Sequence, residues 1–417
     1  MAHRELGLCV WDWDATWNDD TAFSRLLAQL AGWGFDYLEL GVSWRGSRSA
    51  LDRRIAELER SGLRVHLRVN LQDLPDPVAA TAEWSRFADG SVLETGYGST
   101  RQPLPSLFDP RVLDAQRDYL AGLAGTYRGR GIFYTFGFGL HFEYKYGGWI
   151  GFEPVAVDRF ALWLAEREFG GEARSIAEAH DADWLEFREE WLAAKVDGFA
   201  AVVREADPSA RLSAPLGESF RPESAEFGNQ DIFGLSRHAD RVVFSFDYDS
   251  HRVDDAPRAV EELTDVYREL TERPVLVELD GPTGRFFTGY GGSGVLATAE
   301  AAFRGGASGL NVANYTQRTE WSGDLAQFEF FPRLRELADS VEAPPSPLHE
   351  ERFLLSNWTY YLDTRPGVLA AQLAQRDRLR SRGVPTRLIS DGAVGGAPVG
   401  TVIHVPGGTR LRTEERG

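Results

Sequence analysis

Two glutamates carry the residue chemistry that stands out in this chain of 417 residues. Glu143 closes the segment IFYTFGFGLHFEY, residues 132–144, and Glu278 follows the apolar run of RPVLVELDG, residues 273–281. In an extended strand the side chains alternate between two faces. Glu143 then shares a face with His141, above Gly139 and Gly137, and the two glycines leave room beneath it. Glu278 shares a face with Leu276. A carboxylate after such a run costs several kcal/mol to bury unless it is paired or hydrogen-bonded, so the run is expected to deliver it to an open pocket. A single glutamate at a strand end can equally be a surface cap. Two of them, ending separate strands of one sheet, point to a site.

The elements that must position these residues alternate along the chain. Strand-like segments fall at residues 5–14, 35–44, 64–71, 132–144, 210–217, 240–249, 273–281 and 308–317. Helical patterns separate most of them. One opens at Asn18-Asp19-Asp20-Thr21, carries Phe23, Leu26, Leu27 and Leu30, and closes at Gly32 and Gly34. Two long excursions interrupt the pattern, one from Gln72 to Pro110 and one from the end of strand four to about Asp183; segments of that length inside a compact domain are usually functional or disordered. Repeated strand–helix units call for a parallel sheet with crossover helices. An open doubly wound sheet would use such units too, but eight of them favour closure into a (β/α)8, or TIM, barrel. Catalytic groups in that fold sit at the carboxyl ends of the strands, where Glu143 would end strand four and Glu278 strand seven.

The barrel is expected over residues 1–342, followed by a Pro-rich linker at 343–349 around Pro344-Pro345-Ser346-Pro347. Residues 350–417 hold RFLLSNW, a helix from about Gly367 to Arg382, PTRLIS and TVIHVP, an incomplete α/β unit. That is small for an independent domain. It is expected to dock on the barrel or a neighbouring subunit, or to be the first part of a longer unit.

The formal charge of −18 makes nucleic acid a poor partner. No apolar run approaches the length of a membrane span, and the N-terminal segment lacks the apolar core of a secretory signal, so a cytoplasmic protein is expected. Cys9 is the only cysteine, which rules out an intramolecular disulfide and a cysteine-based zinc cluster. No cofactor or metal is expected. The 12 Trp, 13 Tyr and 25 Phe include more rings than a sugar site needs, and most are expected in the core. Aromatic faces nevertheless suit the C–H faces of sugars.

Several stretches together resemble a known group. These are WNDDTAFSRLLAQLAGWGFDYLELGVSW, STRQPLPSLFDPRVLDAQRDYLAGLAGTY, VDRFALWLAEREFGGEARSIAEAHDADW, RPVLVELDGP, GASGLNVANYTQR and RFLLSNWTYYLD. In order and spacing, over nearly the whole chain, they resemble the retaining glycoside hydrolases of the large (β/α)8 clan, and within it glycoside hydrolase family 42, the β-galactosidases. The resemblance implies that Glu143 is the acid/base, that Glu278 is the nucleophile, and that the substrate is an oligosaccharide or glycoside. It also implies that the C-terminal unit is flavodoxin-like, of a kind that helps build homo-oligomers. Arg101 and Arg318 match positions where that family holds basic residues near the site. Salt-bridged scaffold is the plainer reading of both. Trp321, in the polar run TEWSGD, is the better placed of two tryptophans to stack on a sugar; Trp44 is expected in the core. The chain departs from the clan where Asn normally precedes the acid/base and contacts the sugar 2-hydroxyl. Phe142 stands there, and His141 could take part of the missing role. The family's cysteine zinc site is absent.

Two other classes use the same barrel. A metal-dependent sugar isomerase or epimerase would need acidic and His ligands at strand ends, for which Glu39, His66, Asp247, Glu143 and Glu278 are available; His66, early in strand three, lies at the wrong end. A non-catalytic carbohydrate-binding barrel is the third possibility, given Phe142.

Overall fold

Alternation governs the strands. In β1 (Glu5–Trp11), Leu6, Leu8 and Val10 join the main hydrophobic core. Gly7, Cys9 and Trp11 take the opposite face. The same rule runs through β2 (Tyr37–Ser43), β3 (Arg64–Asn70), β4 (Phe133–Gly137), β5 (Arg211–Leu216), β6 (Arg241–Ser245), β7 (Val275–Asp280) and β8 (Gly309–Ala313). All eight are parallel and close into a barrel in which each strand pairs with the next and β8 returns to β1. The register is continuous around the seam: Cys9 pairs with Glu39 on one side and Ala313 on the other, and Asn311 pairs with Glu278. This is the expected TIM barrel. The computed structural model describes residues 3–12, 15–95, 102–137, 150–167, 181–219, 231–246, 255–280, 287–313, 328–342, 344, 351–362 and 367–410.

The helices cover the outside with their apolar faces. Helix α1 (Asp20–Gly32) buries Phe23, Leu26, Leu27 and Leu30, and Asp19 caps it by accepting from Thr21 N at 2.9 Å and Ala22 N at 3.0 Å. Helix α2 (Ala256–Thr271) buries Val260, Leu263, Val266, Tyr267 and Leu270, each contributing about 1.5–3 kcal/mol on full burial. Inside the barrel, glycine makes room for rings. A Cβ on Gly7 would stand 2.0 Å from the Tyr37 ring, and one on Gly41 would stand 2.2 Å from that of Trp11. Among the described residues, no helix is long and apolar enough to cross a membrane.

The excursion from Gln72 to Pro110 contains more structure than a polar loop. A short helix (Asp76–Ala79) is followed by two-residue strands at Glu94–Thr95 and Gln102–Pro103, and isolated bridges join Trp84 to Pro105 and Phe87 to Ile150. Buried Glu153 fastens the excursion, accepting from Ser106 Oγ and from Arg86 N at 3.1 Å. Of the segment expected as strand four, Phe133–Gly137 is a strand and residues 138–149 lie outside the described residues.

Beyond the barrel, β9 (Glu351–Leu355), β10 (Thr386–Ser390) and β11 (Ile403–His404) form a parallel sheet in the order β10-β9-β11. That is the order 2-1-3 with which a flavodoxin-like sheet begins. The linker expected at 343–349 falls largely outside the described residues. The small sheet docks on α2. Glu269 of α2 accepts from Leu388 N at 2.8 Å and pairs with Arg376 at 3.1 Å and Arg380 at 2.8 Å, both on helix α3 (Val368–Ser381). Glu269 and Arg376 are both buried.

Candidate active site

The barrel interior is polar, built from inward positions that carry charge on strand after strand. At the amino-terminal end, Arg241 of β6 donates to Ser213 Oγ at 2.8 Å and Glu5 at 2.7 Å, and its Nη2 lies 2.8 Å from His66 Nδ1. Arginine only donates, so Nδ1 accepts and the imidazole proton sits on Nε2. His66 stacks on Tyr37 with centroids 3.8 Å apart. Burial, and then Arg241, Arg64 and Arg211, hold His66 well below the ordinary histidine range, so it is neutral.

One layer toward the carboxyl ends lies a clamp of two carboxylates on one guanidinium. Arg68 of β3 bonds Glu278 Oε2 through Nη2, while its Nε stands 3.0 Å from Glu39 Oε2 on β2. Asn311 of β8 spans both acids, donating from Nδ2 to Glu39 Oε2 at 2.9 Å and to Glu278 Oε2 at 3.1 Å. Tyr37 OH donates to Asn311 Oδ1 at 3.3 Å, which orients the amide. Thr135 of β4 donates to Glu39 Oε1 at 2.9 Å, and Ser245 of β6 donates to Glu278 Oε1 at 3.3 Å. Glu278 is 3% exposed, and Glu39 and Arg68 are 1% each. Burial works against the Arg68 cation, but Glu278 and then Glu39 outweigh it and raise its pKa well above the ordinary value.

Glu278 is therefore no surface cap. Among the described residues, inward side chains of β3, β6 and β8 stand around its carboxylate. Higher still, Asp12 follows β1 and accepts from Ser43 N at 2.9 Å and Ser43 Oγ at 3.0 Å. Burial raises its pKa, Ser43 opposes the rise and Asp73 adds to it. Trp44, expected in the core, is 38% exposed and meets Tyr119 edge-on at 4.9 Å. It follows the last residue of β2, so it has left the barrel wall. Glu143, His141, Phe142, Arg101, Arg318, Trp321 and Asp247 lie outside the described residues.

Arg68, Asn311, Thr135, Ser245 and Tyr37 escape a reading for strand-end acids. Their signal was the alternation itself. In RVHLRVN and GLNVA the polar residues sit at every second position and must point inward once the other face is covered by helices.

No protein-family model and no curated protein matches the sequence. Solved structures do. The chain resembles the β-galactosidase of the psychrophilic Marinomonas ef1, with a TM-score of 0.68 and 14% identity over 98% of this chain and 73% of that one. It resembles the polyextremophilic β-galactosidase of the Antarctic haloarchaeon Halorubrum lacusprofundi, with a TM-score of 0.71 and 16% identity over 96% and 69%. For a catalytic mutant of Gan42B, a family 42 β-galactosidase from G. stearothermophilus, the figures are 0.65 and 12% over 94% and 66%. What is shared at these identities is the fold.

Proposed function

We propose that this protein is a glycoside hydrolase that cleaves a β-glycosidic bond with retention, with Glu278 as nucleophile and Glu143 as acid/base. The observation that carries the reading is the buried Arg68–Glu278 pair on the inner face of β7. A nucleophilic carboxylate has to be ionised, and a guanidinium on one of its oxygens holds it so. The fold shared with β-galactosidases supports the same reaction class.

In this mechanism Glu278 Oε2 is committed to Arg68 and Asn311, while Oε1 accepts the longer bond from Ser245. Oε1 attacks the anomeric carbon as the glycosidic C–O bond breaks, and Glu143 gives its proton to the departing oxygen. Glu143 then takes a proton from water, whose oxygen displaces Glu278 from the sugar. Retention requires the two carboxyls about 5 Å apart. Arg101, His141, Phe142, Trp321 and Arg318 supply the substrate contacts in this reading, and exposed Trp44 adds a ring for stacking.

A hydrolysis screen over aryl glycosides tests the activity. Turnover with retained anomeric configuration supports the reading; inversion overturns it. One observation favours a second reading, a carbohydrate-binding barrel without turnover: Glu278 is enclosed, with hydrogen bonds on both oxygens. Binding of a sugar with no hydrolysis on any aryl glycoside would decide for it. The metal-dependent isomerase would need Glu39 and Glu278 as ion ligands, yet Arg68 holds the cationic position between them. Loss of activity to a chelator would revive that class.

A further inference from the structure

The amino-terminal end of the barrel gathers cations, in a chain whose formal charge is −18. Alternation turns Arg64 of β3, Arg211 of β5 and Arg241 of β6 inward there, with Glu5 of β1 as the carboxylate among them. Glu5 is shared: its Oε1 stands 2.8 Å from Arg64 Nη2 and its Oε2 stands 2.7 Å from Arg241 Nη1. Arg211 has no carboxylate partner among the described residues. Its guanidinium lies 4.4 Å from the centroid of Phe133, and that of Arg241 lies 3.8 Å from the same ring. Acids of the adjoining turns are occupied elsewhere. Asp36 accepts from Leu6 N at 2.8 Å and pairs with Arg335 at 3.0 Å, and Asp240 accepts from Leu212 N at 2.7 Å. The turns that lead into β2 to β8 at this end all belong to the described residues.

Burial makes this excess of positive charge costly. Arg241 is 3% exposed. Burial pushes its pKa down and Arg64 adds to the push, against Tyr37, Glu5 and Glu39. The balance is downward, so the carboxylates within reach do not make up for the water that Arg241 has lost. His66 Nε2, which carries the imidazole proton, is a further buried donor with no acceptor among the described residues. Arg64 and Arg211 are exposed, so the mouth is open to solvent on their side. A guanidinium lying on a ring keeps its N–H edge for an acceptor, and the planar fork matches the paired oxygens of phosphate.

We propose that the amino-terminal mouth of the barrel is an oxyanion site, in which Arg211 and Arg64 hold a phosphate-type group at the entrance and Arg241 attracts it from within. The site lies at the opposite end of the barrel from the strand ends that carry the proposed hydrolysis, so its failure leaves that reading standing.

Thermal unfolding of the full chain in inorganic phosphate, against sodium chloride of equal ionic strength, reads the site. A ligand that binds only the folded state raises Tm with its concentration, whereas screening acts alike in both salts. The wild type should gain in phosphate over chloride. Arg211→Gln changes an exposed side chain and should weaken phosphate binding about ten- to hundredfold by titration calorimetry, the loss of a charge-assisted hydrogen bond. Glu5→Gln should tighten it, because the incoming anion no longer meets a carboxylate. Should Glu5→Gln fail to fold, Arg211→Lys takes its place; it keeps the charge, loses the fork and should fall between wild type and Arg211→Gln. A hexose phosphate titrated in parallel separates a phosphate ester from free phosphate as the preferred carrier of the group, and Arg211-dependent binding of either supports the site. No gain over chloride overturns the proposal. A gain that survives Arg211→Gln unchanged overturns it too, as an adventitious ion only, and so does a folded Glu5→Gln that binds phosphate no tighter than wild type.

Discussion

Removing Arg68 should damage this protein more than removing either of its acids. Arg68→Met keeps the stem that lines the barrel and deletes the charge, leaving Glu39 and Glu278 joined through Asn311 with no cation between them. A unit pair at the 3.0 Å separation of Arg68 and Glu39 attracts by about 5 kcal/mol at an effective dielectric near 20, and the cost of burying the ions takes back much of this. Breaking a buried pair by deleting one partner costs about 3–5 kcal/mol, because the other stays buried without compensation. Unfolding entropy near 2.1 cal/mol/K per residue over 417 residues is about 0.9 kcal/mol/K, so the loss is about 3–6 °C in Tm. The control is the triple variant Arg68→Met, Glu39→Gln, Glu278→Gln, in which no charge remains. It should recover most of the loss, since a buried ion cluster and a neutral replacement are often close in stability. Differential scanning calorimetry of the wild type and both variants is the assay. A single variant within about 1 °C of wild type would refute the argument that the clamp is electrostatically tight. A triple variant no better than the single would refute the argument that stranded carboxylates cause the loss.

Three further outcomes can be checked. Glu278→Gly should abolish hydrolysis, with azide or formate restoring turnover, whereas Glu143→Ala should spare activated aryl glycosides and slow poor leaving groups by a further 10²–10⁴-fold or so; equal losses on all substrates would defeat the assignment. Asp391 accepts from Ser356 Oγ at 2.8 Å and Asn357 N at 3.1 Å, and burial, opposed by these bonds and aided by Asp231, pushes its pKa up to about 6. A folded-state pKa above the unfolded value favours the protonated form, so stability is lost as pH rises from about 4 through about 6; Asp391→Asn should match wild type below pH 4 and exceed it by on the order of 1 kcal/mol at pH 8, as read by denaturant unfolding at both pH values. Residues 350–417 expressed alone should show no cooperative unfolding transition, because their small sheet relies on Glu269 of the barrel, and Glu269→Ala should expose the unit to limited proteolysis in the full chain.

The barrel was legible in the sequence because its physics is local. Segments such as LGLCVW and YLELGVS place an apolar residue at every second position, and the helix-forming stretches between them carry one apolar stripe, so strand, helix and order could be read without knowing what lay beside what. Glu278 was legible for the same reason, as a charge ending an apolar run. The polar interior was not. Arg68 and Glu278 are 210 positions apart, and Asn311 and Glu39 are 272 apart. Within RVHLRVN, Arg68 reads as one more polar residue in an alternating strand. Only the closed barrel, which pairs β8 with both β1 and β7 and sets Asn311 beside Glu278, brings acids from two other strands to one guanidinium and an amide between them. Burial then determines what the convergence means. With water removed, a charged carboxylate needs a partner, so Arg68, invisible as a neighbour along the chain, is what holds Glu278 and Glu39 inside the barrel.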